Sequence, residues 1–205
     1  MPGDTLVVER EGRSDPKRGK MRLRSKVLVS LLVLFGIFGG LLRPLGLIRP
    51  FTFPTTGMAP ALLPGDHFMM EGLTYVVRKP HRGDIIVFKT DGMQAPLPAG
   101  QIYIKRVVGE PGERLRLTEG KLYVNDKPIS LRNAAGEIVY VSSPWSKYLV
   151  SGSDTVMVPD GHYFVLGDNS TNSSDSRIWG FVPARNVMGR AGICYWPRNR
   201  IGGIE

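Results

Sequence analysis

The sequence predicts a mostly β fold, an antiparallel β-rich domain preceded by one N-terminal transmembrane helix. After residue 50, apolar residues come in short alternating bursts separated by Gly, Pro, Asp and Asn, a pattern typical of strands and turns. No stretch there has helical periodicity over three turns, so there are no helices to cross over parallel strands. With 205 residues, 42% of them hydrophobic, the chain is long enough for one substantial core and too short for several independent domains.

Residues 1–26 form a basic tail, with eight Lys or Arg against four Asp or Glu. Positive charge beside a membrane span stays in the cytoplasm, so we predict a cytoplasmic tail at a bacterial-type plasma (inner) membrane. The residues after the span then lie in the periplasm or outside the cell. The rest of the net charge of +9 is spread thinly, without a basic stripe or interleaved aromatics. We therefore expect no nucleic-acid partner.

The predicted transmembrane anchor covers residues 27–48. The run VLVSLLVLFGIFGGLL at 27–42 carries no charge, and it makes about 24 Å of helix against about 30 Å of hydrocarbon. Continuing the helix to residue 48 gives about 33 Å, which is enough to span a lipid bilayer. A cleaved signal peptide is the alternative, but the segment before the apolar run is too long and no Ala-x-Ala site follows it.

Residues 49–205 are predicted to form the exported β-rich domain. Asn125 and Asp126 after KLYV predict a turn, and residues 128–158 are the least regular part, a candidate inserted hairpin subdomain. The predicted strands are DIIVF at 84–88, YIKRVVG at 103–109, RLRL at 114–117, KLYV at 121–124, EIVYV at 137–141 and HYFVLG at 162–167.

Metal and cofactor chemistry find no support in the sequence. The three histidines, His67, His81 and His162, are isolated, and neither H-E-x-x-H nor metal-ligand Cys spacing occurs. The single cysteine, Cys194, cannot form an internal disulfide. A Ser-His-Asp triad finds no support either, since no G-x-S-x-G elbow occurs. We therefore expect no metal and no cofactor.

Three segments place polar groups where a β core has no need of them: a Pro- and Gly-rich loop at 54–66, a strand at 103–113 and a polar loop at 167–177. In the strand, Lys105 alternates with Tyr103 and Val107, which predicts that it points to the packed side. A buried lysine loses its charge readily and then serves as a general base. A lysine that reaches the surface is the alternative.

Together the three segments resemble type I signal peptidase, a membrane-anchored Ser/Lys protease. Gly57-Met58-Ala59-Pro60 aligns with the family's Ser-Met-x-Pro, with Gly in place of the nucleophile. Three further motifs match: Gly83 to Phe88, Tyr103 to Arg106, and Gly167-Asp168-Asn169 through Arg177, although Ser170 and Thr171 stand where Arg-Asp is common.

The resemblance implies a site and a substrate. Gly57 marks the nucleophile position, Lys105 would be the general base, Ser173 would orient the Lys105 amine, and Thr55 would lend its hydroxyl to the oxyanion hole. Asp175 and Arg177 would pair to brace their loop, and Asp168 would also be structural. The implied partners are signal peptides of exported preproteins, cut after Ala-x-Ala. The implied walls of the substrate pockets are Phe51, Phe53, Pro54, Met58, Ile85, Ile86, Val87, Tyr103 and Ile104.

Glycine at 57 has no side chain able to attack a carbonyl, so the chain as written is expected to be inactive. Thr56 is adjacent, but its side chain is expected to point elsewhere. Two interpretations stay open. Either the nucleophile has been replaced deliberately, or the chain is a natural pseudoenzyme that binds signal peptides or preproteins without cleaving them.

Overall fold

The computed structural model describes residues 26–34, 36–37, 40, 46–93 and 97–204, in two compact units that divide after Leu41. In the first unit, residues 26–34, 36–37 and 40 are helical (α1). No helix among the described residues is both long enough and apolar enough to cross a membrane. The predicted basic tail, except Lys26, lies outside the described residues, as do residues 35, 38–39 and 41–45 of the predicted anchor.

The structure differs from the sequence prediction at the end of the anchor. Gly46 lies in a turn with φ of 69°, a left-handed conformation that glycine adopts without steric cost. Ile48, the predicted last residue of the helix, begins the first strand instead. The β-rich domain thus includes Ile48, one residue before the predicted boundary at residue 49.

The second unit is built on one antiparallel sheet of eight strands, in the order β1-β2-β13-β3-β4-β11-β12, with β14 paired to β13. The strands are β1 (Ile48–Thr52), β2 (His67–Glu71), β3 (Ile85–Lys89), β4 (Ile102–Gly109), β11 (His162–Leu166), β12 (Val182–Pro183), β13 (Val187–Trp196) and β14 (Gly202–Gly203). Beside them lie two single-turn helices, α2 (Thr74–Val77) and α3 (Ser176–Trp179). The prediction of a mostly antiparallel β fold is confirmed.

A second sheet of four strands has the order β10-β5-β6-β7, and β8 pairs with β9 as a separate hairpin. The strands are β5 (Arg114–Thr118), β6 (Lys121–Val124), β7 (Lys127–Ile129), β8 (Arg132–Asn133), β9 (Gly136–Glu137) and β10 (Thr155–Met157). The turn predicted at Asn125 and Asp126 is present, with both residues at positive φ. The small sheet draws on residues 114–157, a longer stretch than the segment that the sequence singled out at 128–158.

The strand predicted at 137–141 is wrong beyond Glu137. The alternation is real, because Ile138 and Tyr140 are buried while Val139 and Val141 are exposed. Their backbone partners change at every step, however. Ile138 N–H donates to Leu131 O, whereas Tyr140 N–H donates to Gly120 O. Without one continuous neighbour, the segment cannot form a ladder.

Candidate active site

The loop that carries Gly57 is fixed at its base and along its length. It leaves β1 at Phe53, whose N–H donates to Asp66 O (2.8 Å) and whose carbonyl accepts from Gly65 N–H (2.8 Å). Met58 and Leu62 are fully buried in the same apolar cluster as Phe53. Buried side chains on both sides of a loop hold its backbone in one place, so Gly57 has a defined position.

The direction in which a side chain at 57 would project is the central feature of the site. A Cβ built on Gly57 would lie 3.4 Å from Lys105 Nζ, 3.4 Å from the Asn172 carbonyl oxygen and 3.7 Å from Ser173 Oγ. These are ordinary van der Waals distances, and Gly57 is not among the glycines with positive φ. A serine therefore fits here without strain, and its Oγ comes within hydrogen-bonding reach of the amine.

Lys105 is buried by its place in the sheet. Strand β4 lies between β3 and β11, and the residue is 5% exposed. This confirms the expectation that it is buried. Burial lowers the pKa of the Lys105 amine from 10.5 to about 8, with Asp175 and Asp168 acting in the opposite direction and Arg177 in the same one. A large share of Lys105 is therefore neutral near pH 8, as a general base requires.

The two nearby carboxylates offset only part of the fall in the Lys105 pKa, since each of them already pairs with an arginine. Asp175 pairs with Arg177, whose Nε and Nη2 donate to Asp175 Oδ1 (2.8 Å) and Oδ2 (2.6 Å). Both side chains are buried, and the predicted ion pair is present. Asp168 accepts from Arg106 Nε and Nη2, both at 2.7 Å, in a second buried pair.

The polar loop after β11 lies directly against the Gly57 segment. Asn169 N–H donates to Gly57 O (3.3 Å), and Asn169 Nδ2 donates to Thr56 O (3.2 Å). Asn172 Nδ2 donates to Thr56 Oγ1 (2.8 Å), so the adjacent hydroxyl is already engaged. The approach is so close that a Cβ on Gly167 would lie 2.1 Å from Ser173 Oγ and 2.3 Å from Gly57 O. Only glycine fits at 167.

Ser173 and Thr55 differ in their exposure at the site. Ser173 Oγ is buried without a hydrogen-bond partner among the described residues, so the predicted hydrogen bond to Lys105 is not formed here. Thr55 is exposed and lines the cleft beside Gly57.

A cleft of about 670 Å³ passes over these groups. It is lined by most of the residues that the sequence proposed: Phe51, Phe53, Pro54, Thr55, Gly57, Tyr103, Ile104, Lys105 and Ser173. The other proposed wall residues, Met58, Ile85, Ile86 and Val87, are buried in the core and do not line it. Strand β3 is covered because β4 and β13 flank it and apolar clusters pack on both faces.

The sequence reasoning missed several lining residues: Thr52, Thr56, Gly100, Gln101, Ile102, Asn172 and Ser174. It also missed Arg200 near the C-terminus, which donates to Asp66 and to the Pro60 carbonyl and so clamps the Gly57 loop. Asn172 could have been found from its place beside Ser173. Nothing in the sequence connects residue 200 with residue 66. In the part of the chain that the structure describes, no group of three or more His, Cys, Asp or Glu could hold a metal ion.

Comparison with known proteins gives a consistent result. Residues 24–196 match the family model described as signal peptidase, peptidase S26. The chain is 39% identical over 150 residues to the probable signal peptidase I-2 of Synechocystis, covering 73% of this chain and 63% of that protein. It is 37% identical over 155 residues to the signal peptidase I of Leptolyngbya laminosa, covering 73% of this chain and 69% of that protein.

A solved signal peptidase I from Enterococcus faecalis V583 is 33% identical, with a TM-score of 0.41 over 56% of this chain and 97% of that one. The chain thus spans about two thirds of the length of the two bacterial relatives. With 173 consecutive residues inside the family match, the chain belongs to the signal peptidase family, peptidase S26.

Proposed function

We propose that this protein has the active site of a signal peptidase I, built for Ser/Lys endoproteolysis of signal peptides, with Gly57 in place of the nucleophile. The observation that carries the proposal is the convergence at residue 57, where a Cβ would meet Lys105 Nζ at 3.4 Å. A serine hydroxyl at that point would have a buried amine of lowered pKa beside it, which is the arrangement that activates a nucleophile.

With a serine at 57, the steps follow from the groups present. The neutral Lys105 amine takes the hydroxyl proton as Oγ attacks the peptide carbonyl, and the ammonium then donates that proton to the leaving amine. The residue 57 N–H and the Thr55 hydroxyl, which is exposed to the cleft, would stabilise the oxyanion. Water then hydrolyses the acyl-enzyme, again with Lys105 as the base.

The cleft supports a substrate with small side chains near the cut. Aromatic and aliphatic side chains, Phe51, Phe53, Tyr103 and Ile104, line it beside Gly57, and large walls close to the reacting carbonyl leave shallow pockets. Residues 54–56 of the same wall are exposed. This accords with a preference for Ala-x-Ala in an extended signal peptide.

We also propose that the chain is anchored in a bilayer by the part of residues 27–48 that precedes the turn at Gly46, with the tail in the cytoplasm and the catalytic domain outside. The support is the uncharged run at 27–42 after the basic cluster. A site at the outer membrane surface would meet signal peptides as they emerge.

The test compares the unaltered chain, Gly57→Ser, and Gly57→Ser with Lys105→Met, all purified in detergent with a peptide that carries Ala-x-Ala before the cut. All three should bind the peptide. Gly57→Ser should cleave it faster than the unaltered chain by several orders of magnitude, since losing a protease nucleophile costs about 10⁶-fold. The double variant should lose that gain. A folded Gly57→Ser variant that binds but does not cleave would favour the pseudoenzyme instead.

A further inference from the structure

Three polar groups converge on the space next to the Gly57 Cα. Lys105 Nζ and the Asn172 carbonyl oxygen lie 3.4 Å from the point that a Cβ would occupy, and Ser173 Oγ lies 3.7 Å from it. Ser173 Oγ is buried and has no hydrogen-bond partner in the described structure. For a small molecule with one oxygen held beside this Cα, these groups would supply the two to four polar partners that a buried water needs.

The space is also open to the substrate side. Gly57, Lys105 and Ser173 all line the cleft of about 670 Å³. An oxygen held there would lie between the general base and a bound peptide, near the place that a serine Oγ would take. We propose that this space is a binding site for a small oxygen nucleophile, water or a methanol-sized alcohol, which Lys105 activates for direct attack on the bound peptide.

The chemistry needs no group beyond those present. The nucleophile's oxygen forms a bond to the peptide carbonyl carbon while its proton passes to the neutral Lys105 amine. The carbonyl electron pair moves to the oxygen, then returns as the C–N bond breaks, and the Lys105 ammonium gives its proton to the leaving amine. Water yields a carboxylic acid and methanol yields a methyl ester, in one displacement without an acyl-enzyme.

Two features favour activation over mere binding. Lys105 takes part in no ion pair among the described residues, since each nearby carboxylate already holds an arginine. Burial brings the pKa of its amine to about 8, so the neutral base is available in mildly alkaline solution. The inference rests on the proposed function, because it needs the same cleft to hold the peptide.

The experiment incubates the unaltered full chain in detergent with the Ala-x-Ala peptide for long times, with and without methanol, and separates acid from methyl ester by mass spectrometry. The controls are Gly57→Ala and Lys105→Met. An alanine Cβ makes only ordinary contacts at 57, so it fills the space without disturbing the loop. Peptide binding is measured on all three proteins by fluorescence anisotropy.

We expect slow cleavage by the unaltered chain, rising with pH through about 8, and a methyl ester share that grows in proportion to methanol. Lys105→Met should lower both products by about 10²-fold or more, and Gly57→Ala should lower them to the same level. Equal product from the unaltered chain and Gly57→Ala, with equal binding, would overturn the inference and leave the proposed function intact. Failure of the unaltered chain to bind the peptide would overturn both.

Discussion

At the scale of single residues, the site depends on one buried amine. The Lys105 pKa falls from 10.5 to about 8 because the charged form loses its hydration. Between these two values the unfolded chain binds a proton that the folded chain does not, so stability rises with pH across that window and is lowest below it. A shift of this size corresponds to about 3 kcal/mol.

We therefore predict that Lys105→Met stabilises the protein at pH 7. Methionine has a similar length and no charge to bury. The free energy of unfolding of the variant should therefore be about 3 kcal/mol higher. Its advantage should shrink as the pH rises from about 8 towards 10.5. Urea unfolding of both proteins at pH 7 and pH 10 measures this. A gain that is equal at the two pH values would show that packing, and not charge, is responsible.

The sequence predicts the position of a side chain well only where a local pattern decides whether that side chain is buried. Alternation along 103–107 led to the correct burial of Lys105, although Ile104 and Arg106 on the other face are buried as well. It was not enough for Ile85, Ile86 and Val87, which the resemblance put on the cleft wall. Their burial comes from β13, which pairs with β3 from about a hundred residues further along the chain, and from the apolar clusters that pack on both faces. No local pattern reports that pairing.

At the scale of elements, the loop after β11 packs closely against the loop after β1. A Cβ on Gly167 would lie 2.3 Å from the backbone oxygen of Gly57, and backbone cannot move aside cheaply. We predict that Gly167→Ala destabilises the protein by about 1–3 kcal/mol and weakens peptide binding, because Gly57 and Ser173 must shift.

Gly202→Ala is the matched control for this change, since a Cβ there has nothing within 4 Å and the backbone is not at positive φ. Its unfolding free energy and peptide affinity should stay close to those of the unaltered chain. Thermal unfolding and anisotropy measure both effects. A Gly167→Ala variant that binds peptide normally would mean that the two loops move independently.

The same loop is braced from inside by the Asp175–Arg177 pair. Asp175 Oδ2 also accepts from Gly167 N–H at 3.0 Å, and Arg177 Nη1 reaches Ser170 Oγ at 2.9 Å. Asp175→Asn would leave the buried guanidinium without its counter-charge, so we predict a loss of about 3–5 kcal/mol. The exposed Arg114–Asp126 pair supplies the control, because Asp126→Asn should cost less than about 1 kcal/mol. Equal losses in urea unfolding would contradict the bracing role.

Sequence patterns located the strands well where strand partners follow one another along the whole element, as for β3, β4, β5, β6 and β11. They failed at 138–141, where each backbone group bonds to a different segment. They also did not predict the ion pair between Arg200 and Asp66. An ion pair between distant loops leaves no periodic trace in a sequence.

At the scale of the whole molecule, the chain divides after Leu41 into two compact units. The second unit contains every residue of the candidate site. In the sequence, the first unit and its border hold the basic cluster and the uncharged run. The proposed chemistry and the proposed membrane location thus rest on separate parts of the chain, and they can be tested separately.

The last prediction concerns orientation. Six Lys or Arg between residues 17 and 26 precede the uncharged run at 27–42, and moving them across a bilayer is costly, so the N-terminus should stay inside. In spheroplasts that express the chain, added protease should digest an epitope placed after residue 205 and spare one placed before residue 1. Replacing the six basic residues by Gln should weaken this asymmetry. Replacing only Lys17 and Lys20 should weaken it in part, while the charge-matched pair Lys121→Gln and Lys127→Gln in the second sheet should leave it unchanged. Protection of the distal epitope in intact spheroplasts, with digestion after detergent is added, would show that the catalytic domain lies in the cytoplasm.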